Sequence, residues 1–160
     1  GTLVVDHLLA GRHLYLISTG TGIAPFISII QDPSIYERFD KIIISHGVRY
    51  IAELAYRKFI CEQLPKNEYF GEDVKQKLIY YPTVTREKFK TRGRLTELLS
   101  SGKLFSDIGL NQAESFQDRF MICGSPAMLK DTCCILNDWG FEESRQGHKG
   151  HYVFERAFVV

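Results

Sequence analysis

The chain has 160 residues, the length of one domain and enough to bury most of its apolar surface in a single core. Apolar residues make up 44% and charged residues 24%, and the formal net charge of +1 gives no electrostatic case for nucleic acid or a membrane surface as partner. No apolar run has the length of a membrane span, and no basic stretch leading into an apolar segment opens the chain, so a cytoplasmic protein is expected.

Taken in chain order, His13–Ser18 reads as a short strand and Ile23–Ile30 as a short helix entered through Pro25. Asp32-Pro33 breaks that helix, and Ser34–Phe39 can add a turn or two. Lys41–His46 holds the β-branched run Ile42-Ile43-Ile44 of a strand buried on both faces. Ala52, Ala55, Tyr56, Phe59, Ile60 and Leu64 fall on one face of a helix ended by Pro65. Leu78–Tyr81 is a third strand, expected to stop at Pro82. Leu95–Ser100 is a helix with Gly102 just past its end, and Phe120–Cys123 is a fourth strand running into Gly124-Ser125-Pro126. A helix with Leu129, Cys133 and Leu136 on one stripe follows, ended by Gly140, and His151–Val160 reads as a final strand. This alternation predicts an α/β fold: a doubly wound, three-layer sandwich with a five-stranded parallel sheet. Its ligand belongs beyond the carboxyl ends of the strands, which selects the loops after Ser18, His46, Tyr81 and Cys123.

The first of these loops is Thr19-Gly20-Thr21-Gly22, with Pro25 in the first helical turn. Two glycines allow a tight turn and close approach to an anion, and the helix behind offers free N–H groups. No G-K-[ST] ending is present, so it is not a P-loop; a plain βα turn is the competing reading. In NAD-binding folds an acidic residue ends the second strand and takes the ribose 2′-hydroxyl. Here Asp40 lies at the wrong end of that strand, and the correct end carries Arg49, a cation suited to a 2′-phosphate. An ion pair between Arg49 and Glu53 competes with that role but does not exclude it, since Glu53 could orient the arginine. The third loop brings Arg86, with Arg94 following; three arginines at one sheet edge repel one another unless they hold an anion.

Cys123 ends a buried strand, where a cysteine is most often a small apolar residue, and no histidine partner marks it as a nucleophile. Among the five histidines only His46, at a strand end, is expected near the site. Cys61, Cys123, Cys133 and Cys134 form no C-x-x-C pair and no metal-ligand spacing, which reads as reduced thiols and no metal.

Ser18–Phe26, His46-Gly47-Val48-Arg49, Thr85-Arg86-Glu87 and Cys123-Gly124-Ser125-Pro126, in this order, resemble the NADP-binding half of ferredoxin–NADP reductases, and the ending Val153–Val159 resembles their bacterial branch. The resemblance covers nearly the whole chain. It implies a ferredoxin reductase-like domain over residues 1–160 in which Thr19, Gly20, Thr21, Gly22 and Pro25 hold the NADP pyrophosphate. It further implies that Arg49, Arg86 and Arg94 bind the 2′-phosphate and that Cys123, Gly124 and Ser125 lie at the nicotinamide end. Ala157 matches a position near the reacting flavin ring, and Phe158 and Val159 continue along the flavin. It implies FAD held mainly by an N-terminal barrel domain in cis that this sequence does not include. Hydride exchange between NADPH and FAD, coupled to ferredoxin or flavodoxin, is then expected of the full-length enzyme and not of this fragment alone. A related flavin reductase serving an oxygenase or haem partner, and a non-catalytic nucleotide-binding module, are the alternatives. Apolar residues of the barrel-facing side, Tyr152, Phe154 and Phe158, are expected to be exposed and to promote self-association.

Overall fold

The computed structural model describes residues 3–157. Five strands form one parallel sheet: β1 (His13–Thr19), β2 (Lys41–Val48), β3 (Leu78–Val84), β4 (Asp118–Gly124) and β5 (Tyr152–Arg156). Their spatial order is β3-β2-β1-β4-β5, so the chain winds outward from β1 to β3 and then crosses back to β4. The switch point therefore lies between β1 and β4, where Ser18 stands beside Cys123.

Period-two alternation sorts the strand side chains into two cores. Leu14, Leu16, Ile42, Ile44, Met121 and Val153 face one layer, where they meet α1 (Ala24–Ile30), α2 (Ser34–Arg38) and α3 (Gly71–Lys77). Tyr15, Ile17, Ile43, Phe120, Ile122 and Tyr152 face the other, against α4 (Leu95–Ser100), α5 (Lys103–Ile108) and α6 (Pro126–Asp138). Burying one such large side chain contributes about 1.5–3 kcal/mol, so the three-layer sandwich follows from covering both faces. Below the sheet, the buried Arg119 donates to the carbonyls of Leu9 and Ala10 at 3.1 and 2.8 Å, tying the first segment to β4.

The structure departs from the sequence reading in four places. β3 runs through Pro82 to Val84; β3 is the outer strand of the sheet, where a proline is tolerated. Residues 51–66 are not one regular helix but a 3₁₀ turn at Ile51–Glu53, a π-helical turn at Phe59–Gln63 and a second 3₁₀ turn at Leu64–Lys66. Ala52 and Ala55 are exposed, and Leu54 is buried instead. Tyr152 is buried, its hydroxyl donating to Asn137 Oδ1 at 2.7 Å, so it contributes nothing to an apolar surface. The last strand is described as Tyr152–Arg156, and Phe158 and Val159 lie outside the described residues. Among the described residues no helix is long and apolar enough to cross a membrane.

Candidate functional site

At the carboxyl ends of β1–β4 lies a cleft of about 750 Å³, lined by Thr19 and Gly20, Arg49, Arg86, Arg94 and Ser125 among others. Each comes from a different loop or from the edge of a helix, and strand pairing brings them together. β2 and β3 stay bonded past their ends: Thr85 N–H donates to the Val48 carbonyl at 3.0 Å and Arg86 N–H to the Arg49 carbonyl at 2.9 Å. That ladder sets Arg49 and Arg86 side by side. Arg94 immediately precedes α4. Among the described residues, none of these three arginines makes an ion pair or a side-chain hydrogen bond. Arg49 is not paired with Glu53, whose Oε1 instead accepts the Tyr50 N–H at 2.9 Å.

The glycine loop crosses the switch point as a 3₁₀ turn, Gly20–Ile23, that leads straight into α1, with Pro25 in the first turn of the helix. Its two glycines serve different ends. Gly20 has φ of +54°, a left-handed conformation that disfavours a side chain. Gly22 lies against β4, where a Cβ would overlap the carbonyl of Cys123. Thr21 is exposed on the same turn, while Gly22 and Gly124 are buried behind the cleft wall.

His46, 1% exposed at the end of β2, fixes this loop. Its Nε2 stands 2.7 Å from the Gly20 carbonyl. A carbonyl only accepts, so the proton sits on Nε2, and among the described residues the buried Nδ1 has no partner. Burial lowers the His46 pKa, against the opposing effects of the Gly20 carbonyl and Glu53. Burial also lowers those of His13 and His151. The unfolded chain therefore binds more protons below its ordinary histidine pKa of about 6.5. The stability these groups contribute is present above that pH and is lost as the pH falls toward their folded values. Stability is expected to drop as the pH falls from about 7.5 to 5.5. Urea titrations at each pH should show a shallower drop for His46→Gln; an unchanged slope would contradict the assignment.

Cys123 does not line the cleft. It is 2% exposed, and burial together with Glu155 pushes its thiol up to about 11, so it is protonated at neutral pH and no nucleophile. Ala157 lies beside it in space, its N–H donating to the Gly124 carbonyl at 2.9 Å. Ser125 caps α6, its Oγ accepting the Met128 N–H at 3.3 Å. Sequence reasoning missed Glu97 and Asp131, which line the cleft from the faces of α4 and α6; no spacing marks a helix-face acid as a cleft residue. Among the described residues no cluster of histidine, cysteine and carboxylate side chains could hold a metal ion.

The family described as oxidoreductase NAD-binding domain matches residues 16–134. The chain is 61% identical over 160 residues to a ferredoxin–NADP reductase of Azotobacter vinelandii, covering 99% of this chain and 62% of that protein. It is 59% identical, with the same shares covered, to one of Pseudomonas aeruginosa. The chain thus spans about 62% of the length of these curated relatives. Among solved structures, a ferredoxin NADP+ reductase from Neisseria gonorrhoeae with bound FAD and NADP superposes with a TM-score of 0.86 at 29% identity, over 99% of this chain and 61% of that one.

Proposed function

Since this chain belongs to the oxidoreductase NAD-binding domain family, we propose that it is the NADP(H)-binding half of a flavin-dependent ferredoxin/flavodoxin–NADP reductase. The observation that carries the reading is the arginine set: Arg49, Arg86 and Arg94 line one cleft beside the glycine loop, unpaired among the described residues. Exposed cations gathered in this way suit a dianionic group. The names of the relatives, and the FAD and NADP bound in the Neisseria structure, support the same reading.

Within this proposal the loop from Thr19 to Gly22, with Pro25 behind it, holds the pyrophosphate, and the arginines take the 2′-phosphate. Cys123, Gly124 and Ser125 mark the end toward which the nicotinamide lies, and Ala157 lies toward the flavin ring. When bound, the nicotinamide and a flavin supply hydride exchange, and the flavin passes single electrons to ferredoxin or flavodoxin. The chain's own residues bind, orient and select. The FAD-binding domain belongs to the remaining length of the protein, and the exposed Phe154 is part of the surface that meets it. Self-association of the isolated chain through that surface, and a cytoplasmic setting for its free thiols, belong to the same proposal.

Calorimetry with 2′-phospho-AMP and AMP tests the reading. The phosphorylated nucleotide is expected to bind about a hundredfold more tightly, the equivalent of two charge-assisted hydrogen bonds. Equal affinities would refute it.

A further inference from the structure

We infer that Glu87, together with Glu53, is a positioning residue for the anion site, holding the arginines in register without neutralising them. The inference rests on the 2′-phosphate reading above. A carboxylate next to a guanidinium ordinarily pairs with it, and a paired arginine competes poorly for a ligand. Glu53 is four residues from Arg49, and Glu87 adjoins Arg86, yet neither takes an arginine.

Both acids are engaged by backbone. The two residues after Arg49 present consecutive N–H groups: that of Tyr50 goes to Glu53 Oε1 at 2.9 Å, and that of Ile51 goes to Glu87 Oε1. The Glu53 N–H returns to the Tyr50 carbonyl at 3.0 Å, closing the turn on itself. Glu87 does more than close a turn. Its bond crosses from the loop after β3 to the loop after β2, beside the Arg86 N–H to Arg49 carbonyl bond at 2.9 Å. Two bonds side by side fix the lateral spacing of the two loops, and so the separation of Arg49 and Arg86. Val48, Leu54 and Val84, with Ile51 and Phe89 against them, form a small apolar cluster of their own beneath these loops. The Arg57 guanidinium stacks 5.1 Å from the centre of the Phe89 ring.

A carboxylate beside an anion site also repels the anion, and this electrostatic effect has the opposite sign to the positioning effect. Two variants separate them. Glu87→Gln removes the charge but keeps an oxygen for the Ile51 N–H, and it is expected to hold 2′-phospho-AMP as tightly as the wild type or slightly more tightly. Glu87→Ala removes both, and is expected to lose about tenfold in 2′-phospho-AMP affinity, the scale of one hydrogen bond to a charged group, with AMP affinity changed by less than about twofold. The inference is overturned if Glu87→Ala binds 2′-phospho-AMP as tightly as the wild type, or if it loses both nucleotides equally, as a merely structural role would cause. It is also overturned if Glu87→Gln falls as far as Glu87→Ala. A wild-type chain with no preference between the two nucleotides would instead remove the 2′-phosphate reading itself, and this inference with it.

Discussion

Gly22→Ala is expected to cost about 3 kcal/mol of stability and to abolish nucleotide binding. The new Cβ would overlap the Cys123 carbonyl and stand 3.0 Å from the Gly124 nitrogen. Both are backbone atoms at the buried end of β4, so no side-chain rotation relieves the overlap. Either the glycine loop lifts or the strand end shifts, and forcing atoms into a packed interior costs about 1–3 kcal/mol, occasionally more. Gly20→Ala provides the contrast. Its Cβ would meet nothing within 4 Å, and only the left-handed φ of +54° opposes it, a strain of about 1–2 kcal/mol. Urea denaturation and calorimetry on the two variants should rank Gly22→Ala as the more damaging in both measurements. A Gly22→Ala protein of wild-type stability would mean that the loop does not press on β4.

Arg49→Ala is expected to weaken 2′-phospho-AMP binding by about tenfold, roughly 1.4 kcal/mol, while AMP binding stays the same. Arg49 is exposed and unpaired among the described residues, so its removal leaves no buried group without a partner and should not disturb the fold. Arg49→Lys should recover only part of the loss, because an ammonium keeps the charge but not the two parallel donors of a guanidinium. Calorimetry on the three proteins checks the order. If Arg49→Ala retains the wild-type affinity for the phosphorylated nucleotide, the second strand end does not read the 2′ position.

The strands were legible wherever burial on both faces leaves a plain apolar run, as at Ile42-Ile43-Ile44 in β2 and Phe120–Cys123 in β4. α4 was readable to the residue because Leu95, Leu98 and Leu99 repeat at helical spacing in a short stretch closed by Gly102. The segment from Ile51 to Lys66 misled because a π-helical turn inserts a residue and the 3₁₀ turns remove some, so a count at 3.6 residues per turn slips out of phase. The small side chains of Ala52 and Ala55 suited the apolar face on paper, but both are exposed. α3 and α5 gave almost no signal: α3 buries only Gly71 and Val74 among seven residues, and α5 buries Leu104 and Phe105 among six.

For the site, glycines and arginines could be read because their chemistry belongs to the residue type. What braces them could not. The His46 bond to Gly20 spans 26 residues and the Glu87 bond to Ile51 spans 36. Such contacts follow from strand order, and no local period in the sequence encodes them.

Pro82 bears on the neighbours of this sheet as much as on β3 itself. An outer strand normally displays a row of free N–H and carbonyl groups, a template on which a strand of another molecule can pair. A proline is accommodated in such a strand with its missing donor toward the open flank, which leaves a gap in that row. Two residues further on, the Val84 N–H and carbonyl are already taken by Thr91 and Gly93, so the β3 side of the sheet offers no continuous row to a second copy, and cross-edge stacking, the first step toward an insoluble aggregate, is discouraged there.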